Sequence, residues 1–414
     1  MFLKKIKATF GNSKKKDELL IRKGPYAKQL KLMQRVETFT LSHGWKDDKI
    51  ARFRKAIEEV VLENPILTSH LVWKKNSIYT SLGTFTIENH SFCTVEYDRD
   101  LDVRKTFCNQ KATMKYMHGK LAKKIECQNK TASEDIETKR PLFHAHLFVF
   151  SHDYACLYIG VSHAIVDVAT YYNIVGQISA LMNDQDITPI NWQNEHMITL
   201  EPFPDHYTFR DRRKGGLLPM LFGALVNISR TRREQAWIVR KDKVIFEKRN
   251  QLDTNLTNYL ESDDIILSKV SELLQSSVEI NIDMDYRDKS PEFARTDGGN
   301  CSKAFNLPSN VASNPNLLRQ TIDKGYYYEA NQVDGKPLKK GQLCYSSSWI
   351  NSYKQIEGMK TLCHTPSFNL IQGQPFDVCI MFVIDESHFA VFHNFLEYDK
   401  AKLKRMKWVR VCRL

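Results

Sequence analysis

Ser162-His163-Ala164-Ile165-Val166-Asp167 is the stretch on which the reading of this chain turns. Before it stand two apolar runs, Leu142–Phe150 and Ala155–Val161, joined by the polar break Ser151-His152-Asp153-Tyr154. A four-residue polar break between strand-like runs is a hairpin signal. After it, Val168, Tyr171, Tyr172, Val175, Ile178 and Leu181 recur at helical spacing, which predicts a helix over Val168–Met182. His163 thus falls at a strand-to-helix turn, a common place for an exposed functional side chain. A neutral imidazole there suits proton abstraction, because its pKa lies near working pH. The tight turn sets Asp167 behind the ring, where its carboxylate can pair with an arginine and fix the turn.

The five-residue spacing carries little by itself. His43-Gly44-Trp45-Lys46-Asp47 has it too, at the head of a helix where Asp47 has work as a cap. A satisfied core histidine and an ordinary turn residue stay open as readings of His163 on these residues alone.

Outward from the motif, Ile50, Phe53, Ile57, Val60 and Val61 predict an amphipathic helix over Asp47–Leu62, capped by Asp47 or Asp48 and stopped by Pro65. Strands follow at His70–Trp73, Thr80–Glu88 and Thr94–Tyr97, then a helix over Thr106–Ile125. Lys-rich residues 1–30 read as an arm or a first edge strand. Asp186–Asp211, rich in Pro, Asn and aromatic residues, reads as a crossover between domains. The second half predicts helix Asp263–Gln275, strand Ser277–Ile282 and a long loop through Asn310. Later come strands Asp377–Ile384 and Phe389–Phe395 around the turn Asp385-Glu386-Ser387, and a final helix over Asp399–Trp408.

At 414 residues the chain exceeds one ordinary core and divides into about two domains. Sixty Lys and Arg against 48 Asp and Glu give a net charge of +12, which favours acidic partners without choosing among them. These charges are spread along the chain with no recognised nucleic-acid module, which argues against nucleic acid. Nine scattered cysteines without paired metal-ligand spacing point to reduced thiols in a cytoplasmic protein, with no disulfide framework and no zinc site. The basic start Met1–Lys7 lacks the apolar stretch of a secretory signal, and no run of 18 apolar residues suggests a spanning helix.

Several short blocks, in order along nearly the whole chain, resemble the acyl-CoA-dependent acyltransferases related to chloramphenicol acetyltransferase, with their plant-type BAHD and condensation-domain relatives. Glu63-Asn64-Pro65-Ile66-Leu67 is similar to the exit of that family's first helix. Arg140-Pro141-Leu142-Phe143 with His163 and Asp167 resembles its central H-x-x-x-D block, and Ser262-Asp263-Asp264-Ile265-Ile266 a later helix start. Asp285-Tyr286-Arg287 resembles its D-x-R turn, Gly299-Asn300-Cys301 its G-N-C, and Ser346-Ser347-Ser348-Trp349 its S-W block. Two departures stand out. Val168 replaces a small residue after the Asp, and the D-F-G-W-G block is absent after Trp349, which points to a branch distant from BAHD enzymes.

The resemblance implies an α/β fold of two chloramphenicol-acetyltransferase-like domains, each a mixed sheet with flanking helices, meeting along a tunnel. The expected bounds are 1–190 for the domain carrying H-x-x-x-D, 191–230 for the crossover and 231–414 for the second domain. It implies transfer of an acyl group from a thioester to a hydroxyl or amine acceptor, with acyl-CoA as co-substrate, no resident cofactor, no metal and a monomeric protein. His163 would be the general base and Asp167 would pair with Arg287, while Asn300 shapes the site. Ser347 and Trp349 are candidates for stabilising the oxyanion, with tunnel wall the plainer role for Trp349. Cys301 and Cys156 lie near the motifs without a base beside them, so direct transfer in a ternary complex is expected.

Residues 210–233 hold an apolar run between arginines, Arg212 and Arg213 before it and Arg230, Arg232 and Arg233 after. One reading is a helix lying in a membrane interface, with a lipid alcohol as acceptor. The other is a helix packed over the tunnel mouth or domain seam. A separate alternative for the whole chain is an inactive relative that binds a small molecule or lipid without turnover.

Overall fold

The computed structural model describes residues 18–23, 34–125, 131–151, 153–192, 235–274, 279–285, 287, 293–323, 343–367, 377–395 and 397–413. Within these, a small antiparallel sheet joins β1 (Glu18–Lys23), β3 (His70–Lys74) and β4 (Ser77–Ser81), with β4 in the middle. The first large sheet holds β2 (Val36–His43), β5 (Cys93–Tyr97), β6 (Phe143–Val149) and β7 (Tyr154–Val161). Its fifth strand, β12 (Lys360–Pro366), comes from far along the chain and extends the edge beside β2, giving the order β12-β2-β7-β6-β5.

The second large sheet has seven strands in the order Ser302–Leu307, Glu279–Asp285, Leu343–Ser348, Asp377–Val383, His388–His393, Gln235–Arg240, Val409–Arg413. In chain order these are β8 (Gln235–Arg240), β9 (Glu279–Asp285), β10 (Ser302–Leu307), β11 (Leu343–Ser348), β13 (Asp377–Val383), β14 (His388–His393) and β15 (Val409–Arg413).

Helix α1 (Asp47–Glu63) and helix α2 (Val168–Met182) pack together on the first sheet. In the second half, α3 (Lys241–Gln251), α4 (Ser262–Leu273) and α5 (Pro315–Asp323) are followed by the short α6 (Lys400–Arg405). Every residue of β13 is buried, and its alternation explains why. Val378, Ile380 and Phe382 enter the core of the first half, while Cys379, Met381 and Val383 enter the core under α4. The second sheet is therefore a wall between two cores. Each fully buried Phe or Leu on it contributes about 1.5–3 kcal/mol.

The hairpin β6–β7 and the helix Val168–Met182 stand where the apolar patterns put them. Other expectations need correction. Lys46, not Asp47 or Asp48, occupies the cap of α1; the two acids lie in its first turn, where they favour the helix dipole. The strand expected over Thr80–Glu88 ends at Ser81, because the chain turns through Gly83 at φ +68°. Thr106–Ile125 is not one helix. Asn109 caps a separate helix at Gln110–Tyr116 by accepting from the Ala112 amide at 3.0 Å.

The loop expected through Asn310 contains β10. The last helix stops at Arg405, with Asp399 as its cap, and β15 follows. Residues 210–233 and most of the expected crossover lie outside the described residues. No helix among the described residues is long and apolar enough to cross a membrane.

Candidate active site

β7 ends at Val161, and the chain turns at once. The Ser162 amide donates to the Leu142 carbonyl at 2.8 Å and the Ile165 amide to the Ser162 carbonyl at 3.1 Å. Asp167 then caps α2, accepting from the Thr170 amide at 2.9 Å. This leaves His163 at the head of the turn, partly exposed, while Ala164, Ile165 and Val166 are buried.

Asn300 holds the ring. Its amide Nδ2 donates to the carbonyls of His163 and Ala164 at 2.9 and 3.3 Å. Those two acceptors set which way the side-chain amide faces, so the atom 3.1 Å from His163 Nδ1 is Oδ1, an acceptor. Nδ1 must then carry the proton, and Nε2 keeps its lone pair. Burial lowers the His163 pKa from its ordinary value, only partly offset by bonds to the backbone and the charge of Asp167. The ring is neutral at pH 7, with one basic nitrogen.

Asp167 points into a second network. Arg287 forks onto its carboxylate, Nη1 to Oδ2 at 2.9 Å and Nη2 to Oδ1 at 3.1 Å. Arg287 also donates to Asp285 Oδ1 at 2.8 Å, to Thr170 Oγ1 at 2.6 Å, and to the carbonyls of Asp297 and Gly299 at 2.7 and 3.1 Å. The Cys301 amide adds a bond to Asp167 Oδ2 at 2.8 Å. Desolvation opposes the guanidinium charge, but Asp167 and Asp285 outweigh it and raise the Arg287 pKa. A planar fork meets a carboxylate with two bonds, which a lysine cannot do.

Gly299 lies at the centre of this network. Its carbonyl accepts from the Asp167 amide, Thr170 Oγ1 and Arg287 Nη2. Its φ of +103° is a conformation that a side chain would strain.

The structure thus brings together His163, Asn300, Asp167 and Arg287, which lie up to 137 residues apart. Ser347 and Trp349 form a separate pair, the indole Nε1 donating to Ser347 Oγ at 3.2 Å. Trp349 is buried and meets Tyr172 of α2 edge-on, with centroids 6.4 Å apart. Thr170 went unread in the sequence, although its place three residues after an Asp cap is a signal that could have found it. Burial raises the thiol pKa values of Cys301 and Cys156, so neither is a thiolate at neutral pH. Among the described residues no group of His, Cys, Asp and Glu could hold a metal ion.

No protein-family model and no curated protein matches the sequence. Solved structures do match the fold. TRI101 of F. sporotrichioides, complexed with coenzyme A and T-2, aligns over 95% of this chain and 99% of its own, with a TM-score of 0.59 at 12% identity. TRI101 of F. graminearum, complexed with ethyl coenzyme A, gives 0.58 at 12% identity over 95% of this chain and 100% of its own. The first condensation domain of the CDA synthetase gives 0.56 at 11% identity over 89% of each chain. The chain therefore has the mixed α/β, chloramphenicol-acetyltransferase-like fold along almost its whole length.

Proposed function

We propose that the chain is an acyltransferase that moves an acyl group from an acyl-CoA to a small hydroxyl or amine acceptor, with His163 as general base in a ternary complex. The observation that carries this reading is the Asn300 clamp, which leaves Nε2 of a neutral His163 as the free base. Nε2 takes the acceptor's proton as its oxygen or nitrogen attacks the acyl carbonyl, and the imidazolium returns it to the departing thiolate. Asp167 has no part in that transfer: Arg287, Thr170 and Cys301 occupy its oxygens, and its task is to hold the turn.

Ser347 is the proposed donor to the oxygen of the tetrahedral intermediate. The indole N–H of Trp349 is given to Ser347 Oγ, so Trp349 positions that hydroxyl and does not itself reach the substrate. A thioester donor is supported by the shared fold of TRI101, which was solved with coenzyme A and with ethyl coenzyme A.

The test is a panel of acyl-CoAs and acceptors read by release of free thiol. Acceptor-dependent release is expected from the wild type, falling by about 10²–10⁴ in His163→Ala. Equal rates in both proteins would remove His163 from the chemistry. Tight acyl-CoA binding without any turnover would favour the inactive-relative reading.

A further inference from the structure

Along β9 the side chains alternate. Ile280 and Ile282 enter the core under α4, so Asn281, Asp283 and Asp285 share the face that fronts the first half. The neighbouring strand β11 runs parallel, with Tyr345 opposite Asn281 and Ser346 opposite Ile282. One step further in the same register sets Ser347 alongside Asp283, at a strand separation of about 4.8 Å.

The three polar residues on this face of β9 differ in kind. Asn281 is buried. Asp285 is committed to the Arg287 guanidinium and amide, at 2.8 and 3.1 Å. Asp283 between them is exposed, and among the described residues its carboxyl has no hydrogen-bond or ion-pair partner.

An unpaired carboxylate beside Ser347 is awkward for the reaction proposed above. The oxygen that gains negative charge would do so next to a like charge, which opposes it. A neutral acceptor leaves that repulsion in place, whereas a cation bound at Asp283 cancels it. Asp283 is open to solvent along this face, yet desolvation by the protein around it, and then the charge of Asp167, lift its carboxyl to about 6, and the charge of a bound cation would oppose that shift.

We propose that Asp283 anchors the acceptor through a non-reacting ammonium group, so that the acceptor is a molecule carrying a cationic nitrogen besides the hydroxyl or amine that is acylated. Asp283 is then a specificity-determining residue. This rests on the acyltransferase reading for its chemistry, but its binding half can be tested without turnover.

The probes are 3-(dimethylamino)propan-1-ol, cationic at pH 7.5, and its neutral isostere 4-methylpentan-1-ol, with acetyl-CoA as donor. Wild type is expected to favour the amino alcohol in kcat/KM by about tenfold or more, the scale of one hydrogen bond to a charged group. Asp283→Asn should erase that preference by raising KM for the amino alcohol, while the neutral alcohol reacts at least as fast as with the wild type and the unfolding midpoint does not fall. A preference that survives in Asp283→Asn, or a wild type that favours the neutral alcohol, overturns the proposal.

Calorimetric titration of the amino alcohol into His163→Ala with coenzyme A present separates the two readings. Binding that disappears when Asp283→Asn is added supports the anchor even if neither acceptor is turned over, in which case the acyltransferase reading alone fails. Equal binding with and without Asp283→Asn overturns the anchor whatever the activity.

Discussion

Arg287 and Arg319 are both buried guanidinium groups forked onto an aspartate, yet their surroundings differ in charge. Arg287 bridges segments 120 residues apart and meets two acids, Asp167 and Asp285, with its remaining donors on Thr170 and two carbonyls. Arg319 joins α5 to the start of α4 within one half of the chain. It forks onto Asp264 at 2.8 and 2.9 Å, with Glu261 at 3.0 Å, Asp323 at 3.3 Å and Asp263 at 4.0 Å. The acids there exceed what one arginine can neutralise. Desolvation, then the charges of Asp264 and Glu261, push Asp263 up to about 7. The node at the candidate site sets one arginine against two acids, whereas the node in the helical layer sets one against four and carries a charge that pH can change.

The largest effect should come from Arg287. Arg287→Ala leaves Asp167 buried without its partner and should cost about 3–5 kcal/mol in urea unfolding at pH 7.5. Arg287→Lys keeps the charge but not the fork, and should lose far more activity and stability than a conservative change at exposed Arg240. Wild-type behaviour of Arg287→Lys would break the comparison.

Arg319→Ala should cost about 2–4 kcal/mol at pH 8 and recover part of it at pH 5.5, as the surplus acids take up protons. An equal loss at both pH values would make the two nodes alike.

Asp263→Asn should stabilise by about 1–2 kcal/mol at pH 8. The folded pKa lies above the unfolded one, so this group's stabilisation is full below about pH 4 and is lost as pH rises through about 7. In the variant that slope of stability with pH should flatten.

The smallest effect has the opposite sign. Burial lowers His393 to about 3, so its stabilisation is present above the unfolded value near 6.5 and is lost as pH falls toward 3. Near pH 5.5 this ring should account for about 1 kcal/mol of acid destabilisation, absent from the acid limb of His393→Gln.

Legibility in the sequence followed the range of the interactions. Helix Val168–Met182 was readable to the residue because its periodicity is local. β10 and β15 were missed, since short strands are defined by the edges they pair with. The break at Asn109 went unread because the run of helix-forming residues around it outweighed one capping side chain. At the site, Asn300 read only as a residue that shapes it, and the bonds by which it does so exist only because the loop carrying it meets His163 across 137 residues.

By itself the sequence determined the hairpin, the turn at His163, the helix behind it and the order of blocks that resembles the acyltransferases. All of these rest on contacts within a few residues or on residue order. Only the tertiary structure decided which nitrogen of His163 keeps its lone pair, that Trp349 donates to Ser347, and that Asp283, without a partner among the described residues, lies one step beyond the pairing of Ser346 with Ile282. Those depend on which strands become neighbours and on where a guanidinium or an amide from a distant loop arrives. Spacing along the chain does not encode either directly.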